Sequence, residues 1–175
     1  MTEQQHYDVV ATYAHSELRR YSRCTVADIT LTGSAERVGN RAFGPLVRYI
    51  SAKQLAMTAP VLQVEAEAQS QWTVSFVLPG SKALNEYPLP DDANVTLREI
   101  PEHLAMAMQW SGRWTYPSVE KHTAQLREDI REQGLVADGP PVWARYDPPW
   151  KPWFLRRNEV IIDVRVESPT PSSSI

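Results

Sequence analysis

One plan occurs twice along this chain, and the repeat constrains its fold more than any single residue does. In each half a pair of strand-like runs ends at a glycine, an amphipathic segment follows, and two more strand-like runs come after it. Gly33 precedes Ile50 by 17 positions and Gly112 precedes Ile130 by 18. Two copies at matching offsets describe a duplicated module, whereas a solenoid needs more units to bury a continuous core.

In the first copy Tyr7 to Tyr13, Glu17 to Tyr21 and Thr25 to Leu31 read as short strands, the last alternating Val26, Asp28 and Thr30 against Ala27, Ile29 and Leu31. Ser34 suits the N-cap of a helix through Ile50, in which Val38, Ala42, Leu46 and Tyr49 share one face. Pro45 removes the bond to the Arg41 carbonyl, which predicts a kink or a division into two shorter turns. Val61 to Glu65 and Trp72 to Leu78 close the copy. In the second copy Val95 to Ile100 and Leu104 to Ser111 are strands, a helix runs from about Pro117 to Gln133, and Pro141 to Tyr146 and Glu159 to Val166 are strands. Two helices cannot supply right-handed crossovers between all these strands. The expected fold class is therefore α+β: a pseudo-two-fold duplicated unit forming a twisted, largely antiparallel, β-barrel-like sheet with two helices packed outside. One domain is expected over residues 1–167, followed by a disordered tail at 168–175 (SPTPSSSI).

Composition removes several classes of function. With 42% hydrophobic and 22% charged residues in 175, the chain has an ordinary globular make-up. A lone cysteine, Cys24, can build neither an internal disulfide nor a cysteine zinc cage. Eighteen basic against 21 acidic residues leave a net charge of -3, which opposes the phosphate neutralisation that nucleic-acid binding depends on. The apolar runs are too short for a membrane span and the first residues lack an apolar leader, so a cytoplasmic monomer is expected.

The polar residues offer few catalytic arrangements. His6, His15, His103 and His122 form no HxxxH or HxH pair, and no nucleophile elbow, phosphate loop or dinucleotide fingerprint occurs. His122, at the border of the second helix's apolar stripe, is either an axial iron ligand or a structural histidine. Asp91-Asp92 sits in a proline-rich loop and reads as a turn former. On the first helix Arg37, Arg41 and Arg48 fall within about 40° of one another at 100° per residue. That face is either simply solvated or an anchor for an anionic ligand. The most distinctive stretch is Tyr146 to Val160, YDPPWKPWFLRRNEV, where Trp150, Trp153 and Phe154 stand among Lys151, Arg156 and Arg157. Such a loop either satisfies itself through cation-π contacts or docks a flat, apolar, carboxylate-bearing ligand such as a porphyrin.

Several ordered motifs resemble the SOUL haem-binding proteins: Glu17 to Tyr21 (ELRRY), Arg48-Tyr49-Ile50, Ala56 to Val61 (AMTAPV), Trp72 to Pro79 (WTVSFVLP), Tyr146 to Trp150 (YDPPW) and Arg156 to Val160 (RRNEV). The resemblance implies reversible binding of haem or a related tetrapyrrole in a shallow apolar groove, as a carrier or buffer. It assigns Arg48 and Lys151 to the propionates, and Trp150 and Trp153 to the macrocycle. Met57 is then a soft pocket lining or a core residue, and Arg41 adds charge on the helix. Some members are proposed to ligate iron through a histidine in the ELRRY-like strand, where this chain has Arg20, and only Ser51 to Gln54 separate Ile50 from Leu55. A second reading comes from the similar architecture of bacterial effector-binding domains, some of them hydrolases. There Glu159 would be a strand-end general base with Tyr146 as its partner, or else the member of a structural ion pair.

Overall fold

Two glycine-led junctions set the architecture. The computed structural model describes residues 2–68 and 70–167, so the tail expected to be disordered lies outside the described residues. The strands are β1 Glu3–Gln4, β2 Tyr7–Thr12, β3 Glu17–Tyr21, β4 Cys24–Thr32, β5 Thr58–Ala59, β6 Val61–Glu65, β7 Gln71–Val77, β8 Thr96–Ile100, β9 His103–Ser111, β10 Leu135–Ala137, β11 Val142–Arg145 and β12 Arg157–Val166. Helix α1 is Ala35–Ala52 and α2 is Tyr116–Glu132. Gly33 (φ 150°) and Gly112 (φ 132°) occupy equivalent corners, each turning a long strand into a helix in a backbone region that side chains disfavour.

Nine strands run in the order β2-β3-β9-β12-β11-β6-β7-β4-β8, with β10 added beside β12, and every pairing in this sheet is antiparallel. From β3 to β8 the order is symmetric about the β11-β6 seam. The first strand of each repeat is lent to the other: β3 pairs with β9, and β8 with β4. Only Ser22-Arg23 join β3 to β4, and only Pro101-Glu102 join β8 to β9, although these strands lie toward opposite ends of the order. Links of that length span roughly 10 Å, so the sheet must curl until its ends approach. The result is the α+β, barrel-like sheet expected from the sequence.

Alternation then gives the sheet two buried faces. Outside, α1 covers Ala27, Ile29, Val74, Phe76 and Leu78, while α2 covers Met106, Met108, Val160 and Ile162. Inside the curl, Tyr21, Val26, Leu62, Ala105, Ala107, Ala144 and Ile161 meet. Three alanines leave room there for large polar side chains from neighbouring strands.

Pro45 neither divides α1 nor ends it; the helix runs through it as one 18-residue element. The lost backbone bond is outweighed by continuous packing, since Ala42 and Leu46 on either side of it are fully buried. Thr115 caps α2 by accepting from the Ser118 N–H, while the Ser34 side chain makes no cap bond on α1. The sequence reading omitted β10 and the two-residue parallel pair β1-β5, both too short to carry a periodic signal.

The two corners are equivalent only if the duplication is structural. Gly33→Ala and Gly112→Ala should each cost about 1–2 kcal/mol, the strain of placing a Cβ at positive φ. Urea unfolding of the two variants should give similar losses.

Candidate functional site

Two chemically distinct groups stand out, one inside the curl and one outside it. Inside, β12 turns Arg157, Glu159 and Ile161 inward, and Glu159 is fully buried. Arg19 of β3 reaches over the intervening β9 and grips it bidentately, Nη1 to Oε2 at 2.8 Å and Nη2 to Oε1 at 3.0 Å. Arg157 donates to Oε1 from Nη2 at 2.7 Å and from Nε at 3.1 Å. The Tyr146 hydroxyl donates to Oε2 at 2.8 Å. Tyrosine rings enclose the cations, with Arg19 4.2 Å from the Tyr7 centroid and Arg157 3.9 Å from that of Tyr146.

Burial alone would raise the Glu159 carboxyl, but its bonds to Arg19 and Arg157 overturn that and hold it below the usual carboxylate range. Tyr146 is pushed the other way, above the ordinary phenol range, by burial and by the Glu159 charge. Glu159 and Tyr146 are therefore together, as an ionised anchor and its neutral donor. Arg19 and Arg157 complete the arrangement. The sequence reading did not single out Arg19; its signal is the period-2 placement beside Tyr21 on β3.

Outside, residues 147–156 form a tied turn. The Asp147 carboxylate accepts from Lys151 Nζ at 2.6 Å and from the Arg157 backbone N–H at 2.6 Å. Arg156 donates to the carbonyls of Lys151 and Pro149. These bonds fix the backbone and leave the apolar side chains out: Trp150 is 82% exposed, Trp153 48%, Phe154 57% and Leu155 56%. Arg113 lies 5.5 Å from the Trp153 ring. Single exposed hydrophobics are ordinary, but four within six residues are an unusual concentration of exposed apolar side chains.

The remaining expected residues fall elsewhere. The tryptophan cluster divides, because Trp110, Trp114 and Trp143 pack against the α2-side core while Trp150 and Trp153 face out. Arg41 donates to the Thr32 carbonyl at 2.8 Å, and Arg48 is exposed without an ion pair among the described residues. No hydrogen bond or ion pair joins Arg48 to Lys151. Met57 packs against the cluster beneath α1. His122 stacks on Trp110 at 4.1 Å, and its Nδ1 lies 2.7 Å from the Ser118 carbonyl. It borders a cleft of about 410 Å³ that also touches Tyr13, His15, Glu17 and Arg19. Among the described residues no cluster of three or more His, Cys, Asp or Glu could hold a metal ion, and no helix is long and apolar enough to cross a membrane.

Arg145 was not anticipated. Its guanidinium lies 4.6 Å from the Trp114 centroid and donates to Gln63 Oε1 at 3.1 Å, with Gly39 of α1 against it.

Residues 2–163 match the profile of the SOUL heme-binding protein family. The chain belongs to the SOUL family. A search of curated protein sequences gives no match. Among solved structures, this SOUL domain is similar to the C-terminal domain of EcmrR, with a TM-score of 0.71 at 12% identity over 92% of this chain and 99% of that one. It is also similar to a structure described as a hydrolase from Listeria innocua, with a TM-score of 0.64 at 12% identity, covering 89% and 94% of the two chains. A third, SAV2435 bound to tetraphenylphosphonium, gives a TM-score of 0.50 at 12% identity over 86% and 93%. At these identities the likeness is one of fold.

The SOUL domain's interior cluster has a measurable acid signature. A carboxylate whose folded pKa is depressed contributes stability that is present above its unfolded pKa of about 4.3 and is lost as pH falls through the folded value. Glu159→Gln should cost about 3–5 kcal/mol at neutral pH, because two guanidiniums lose their counter-charge. It should also flatten the acid limb of a stability-against-pH profile measured by chemical denaturation between pH 2 and 7.

Proposed function

We propose that this SOUL domain binds haem or a related tetrapyrrole reversibly, with the macrocycle laid on the 150–155 turn, and serves as a carrier or buffer. The observation that carries the reading is the patch of Trp150, Trp153, Phe154 and Leu155, held out by a braced backbone. A flat ligand is the shape such a surface takes up, and apolar area supplies most of the affinity. Lys151 at the patch edge can leave Asp147 for a propionate. Arg41 and Arg48, on the outer face of α1, add attraction for an acid ligand from a distance.

The residues fit the faces and acid edges of a porphyrin better than they fit its metal. His103 stacks on Tyr21, His122 on Trp110, His6 lies by Ser22, and His15 lines the cleft that His122 borders. None of them contacts the turn. Binding through the ring and propionates follows, with the iron free of a protein ligand from these side chains.

The hydrolase reading finds less support. Glu159 accepts from five donors and is held ionised, so its lone pairs are committed to Arg19, Arg157 and Tyr146 rather than open to a substrate proton. What SAV2435 binds is not carried over, since at 12% identity the likeness is one of fold.

Titration with haemin and with metal-free protoporphyrin IX, followed by Soret absorbance and tryptophan quenching, should saturate near one equivalent with similar affinities. Replacing Trp150 and Trp153 together by Ala should weaken both about tenfold or more, the worth of roughly 55 Å² of apolar burial at about 25 cal/mol per Å². Unchanged affinity in that variant, or no saturable change in the wild type, would remove the proposal.

A further inference from the structure

The pairing register places Phe76, Val61, Arg145, Asn158 and Trp110 in one row across β7, β6, β11, β12 and β9, on the helix-bearing face. Arg145 stands at the middle of that row, on the seam between the two repeats. Its own strand puts Trp143 on the same face, two residues earlier, and leads directly into Tyr146 and the aromatic turn. A charged residue at the centre of a largely apolar row needs a partner or a purpose.

No carboxylate pairs with Arg145 among the described residues. Its one hydrogen-bond acceptor is Gln63 Oε1, and Gln63 is itself aligned by donating to the Ala35 carbonyl at 2.7 Å. Among the described residues the other guanidinium N–H groups have no acceptor. Burial, unrelieved by any acid, lowers the guanidinium to about 10. The adjoining Trp114 indole also has a buried N–H without an acceptor, so donors exceed acceptors at this spot.

The helix is cut to admit the cation. A Cβ at Gly39 would overlap Arg145 Nη2 and stand 3.1 Å from Cζ. Glycine inside a helix costs about 1 kcal/mol relative to alanine, and here it lets a guanidinium lie against the α1 backbone. Arg145 lies on Trp114, and the residue before that tryptophan, Arg113, lies on Trp153 of the exposed turn.

We infer that Arg145, seated in the Gly39 notch and backed by Trp114 and Gln63, is the anchor for a carboxylate of the ligand whose face lies on the aromatic turn. The inference rests on the tetrapyrrole reading and adds the group that selects an acid ligand over a neutral one. A carboxylate arriving there would find the guanidinium N–H groups that Gln63 leaves free, and guanidinium is the side chain that grips carboxylates most specifically.

The test compares protoporphyrin IX with its dimethyl ester, which keeps the ring and removes both charges. Wild type should bind the diacid about tenfold or more tightly than the ester. In Arg145→Gln that preference should fall about threefold or more, the remainder being the part that Lys151 supplies, with ester affinity unchanged. Gly39→Ala is the second variant: its Cβ displaces only the far end of a flexible side chain and raises helix propensity, so the fold is retained while the anchor moves. Its preference should fall likewise. A wild type without preference, or a Gly39→Ala variant that retains the full preference, would overturn the inference while leaving the tetrapyrrole reading in place. Failure of both porphyrins to bind wild type would instead sink that reading.

Discussion

The ion pair between Arg19 and Glu159 is the contact on which the curled sheet depends. It joins β3, a strand of the first repeat, to β12, a strand of the second, with β9 between them. Both charges are almost fully withdrawn from water. An unpaired charge in that place would cost several kcal/mol, so the pair contributes less net stability than it does uniqueness of pairing. Sliding β3 by one residue along β9 would turn Arg19 and Tyr21 out of the interior and strand Glu159. The observed register, Arg19 opposite Ala105 and Tyr21 opposite His103, is the one that satisfies all of them. Ala105 and Ala107 matter for the same reason, since larger side chains would occupy the volume the guanidinium crosses.

The lent strands give the duplication its mechanical sense. Glu17 to Tyr21 (ELRRY) and Thr96 to Ile100 (TLREI) occupy equivalent places, and each carries Leu-Arg at the same offset. Arg19 reaches inward to Glu159, while its counterpart Arg98 pairs with Asp28 of the neighbouring β4 at 2.7 Å and stays half exposed. One backbone plan thus carries two different electrostatic fates. The difference lies in the partner: β12 offers a fully buried carboxylate, and β4 offers one near the sheet's edge.

Much of this was legible in the sequence because it is periodic. The strand runs, both helices and the repeat follow from apolar spacing, and the SOUL motifs are contiguous strings. Strand exchange was not legible, because period 2 says which face a residue takes and not which strand lies beside it. Arg19 reads as solvated inside ELRRY until its pairing with β9 is known. The arginine face of α1 shows the converse. Arg48 is nine residues beyond Gly39, about 180° around the helix, so the side that meets Arg145 is the one opposite the charges that draw the eye. Arg145 itself could have been found, since Trp143 and Arg145 alternate with Ala144 and a buried tryptophan implies a covered face. The aromatic cluster was legible as a composition and not as a division, because core packing and ligand docking call for the same rings.

The two groups at the site are mechanically one. Tyr146 and Arg157 bound the aromatic turn on either side, and both are bonded to Glu159 inside the sheet. Asp147 then ties the same two ends from outside, through the Arg157 backbone N–H and Lys151. Pro148, Pro149 and Pro152 restrict the backbone between them. A patch so held would lose little further freedom on taking up the proposed ligand, and ordering is a main cost of binding. The buried ion cluster therefore does more than close the barrel: by fixing the two feet of the turn it sets where Trp150 and Trp153 stand. Exposed indoles would otherwise gain by folding back onto the protein, and the cluster supplies the rigidity that prevents it.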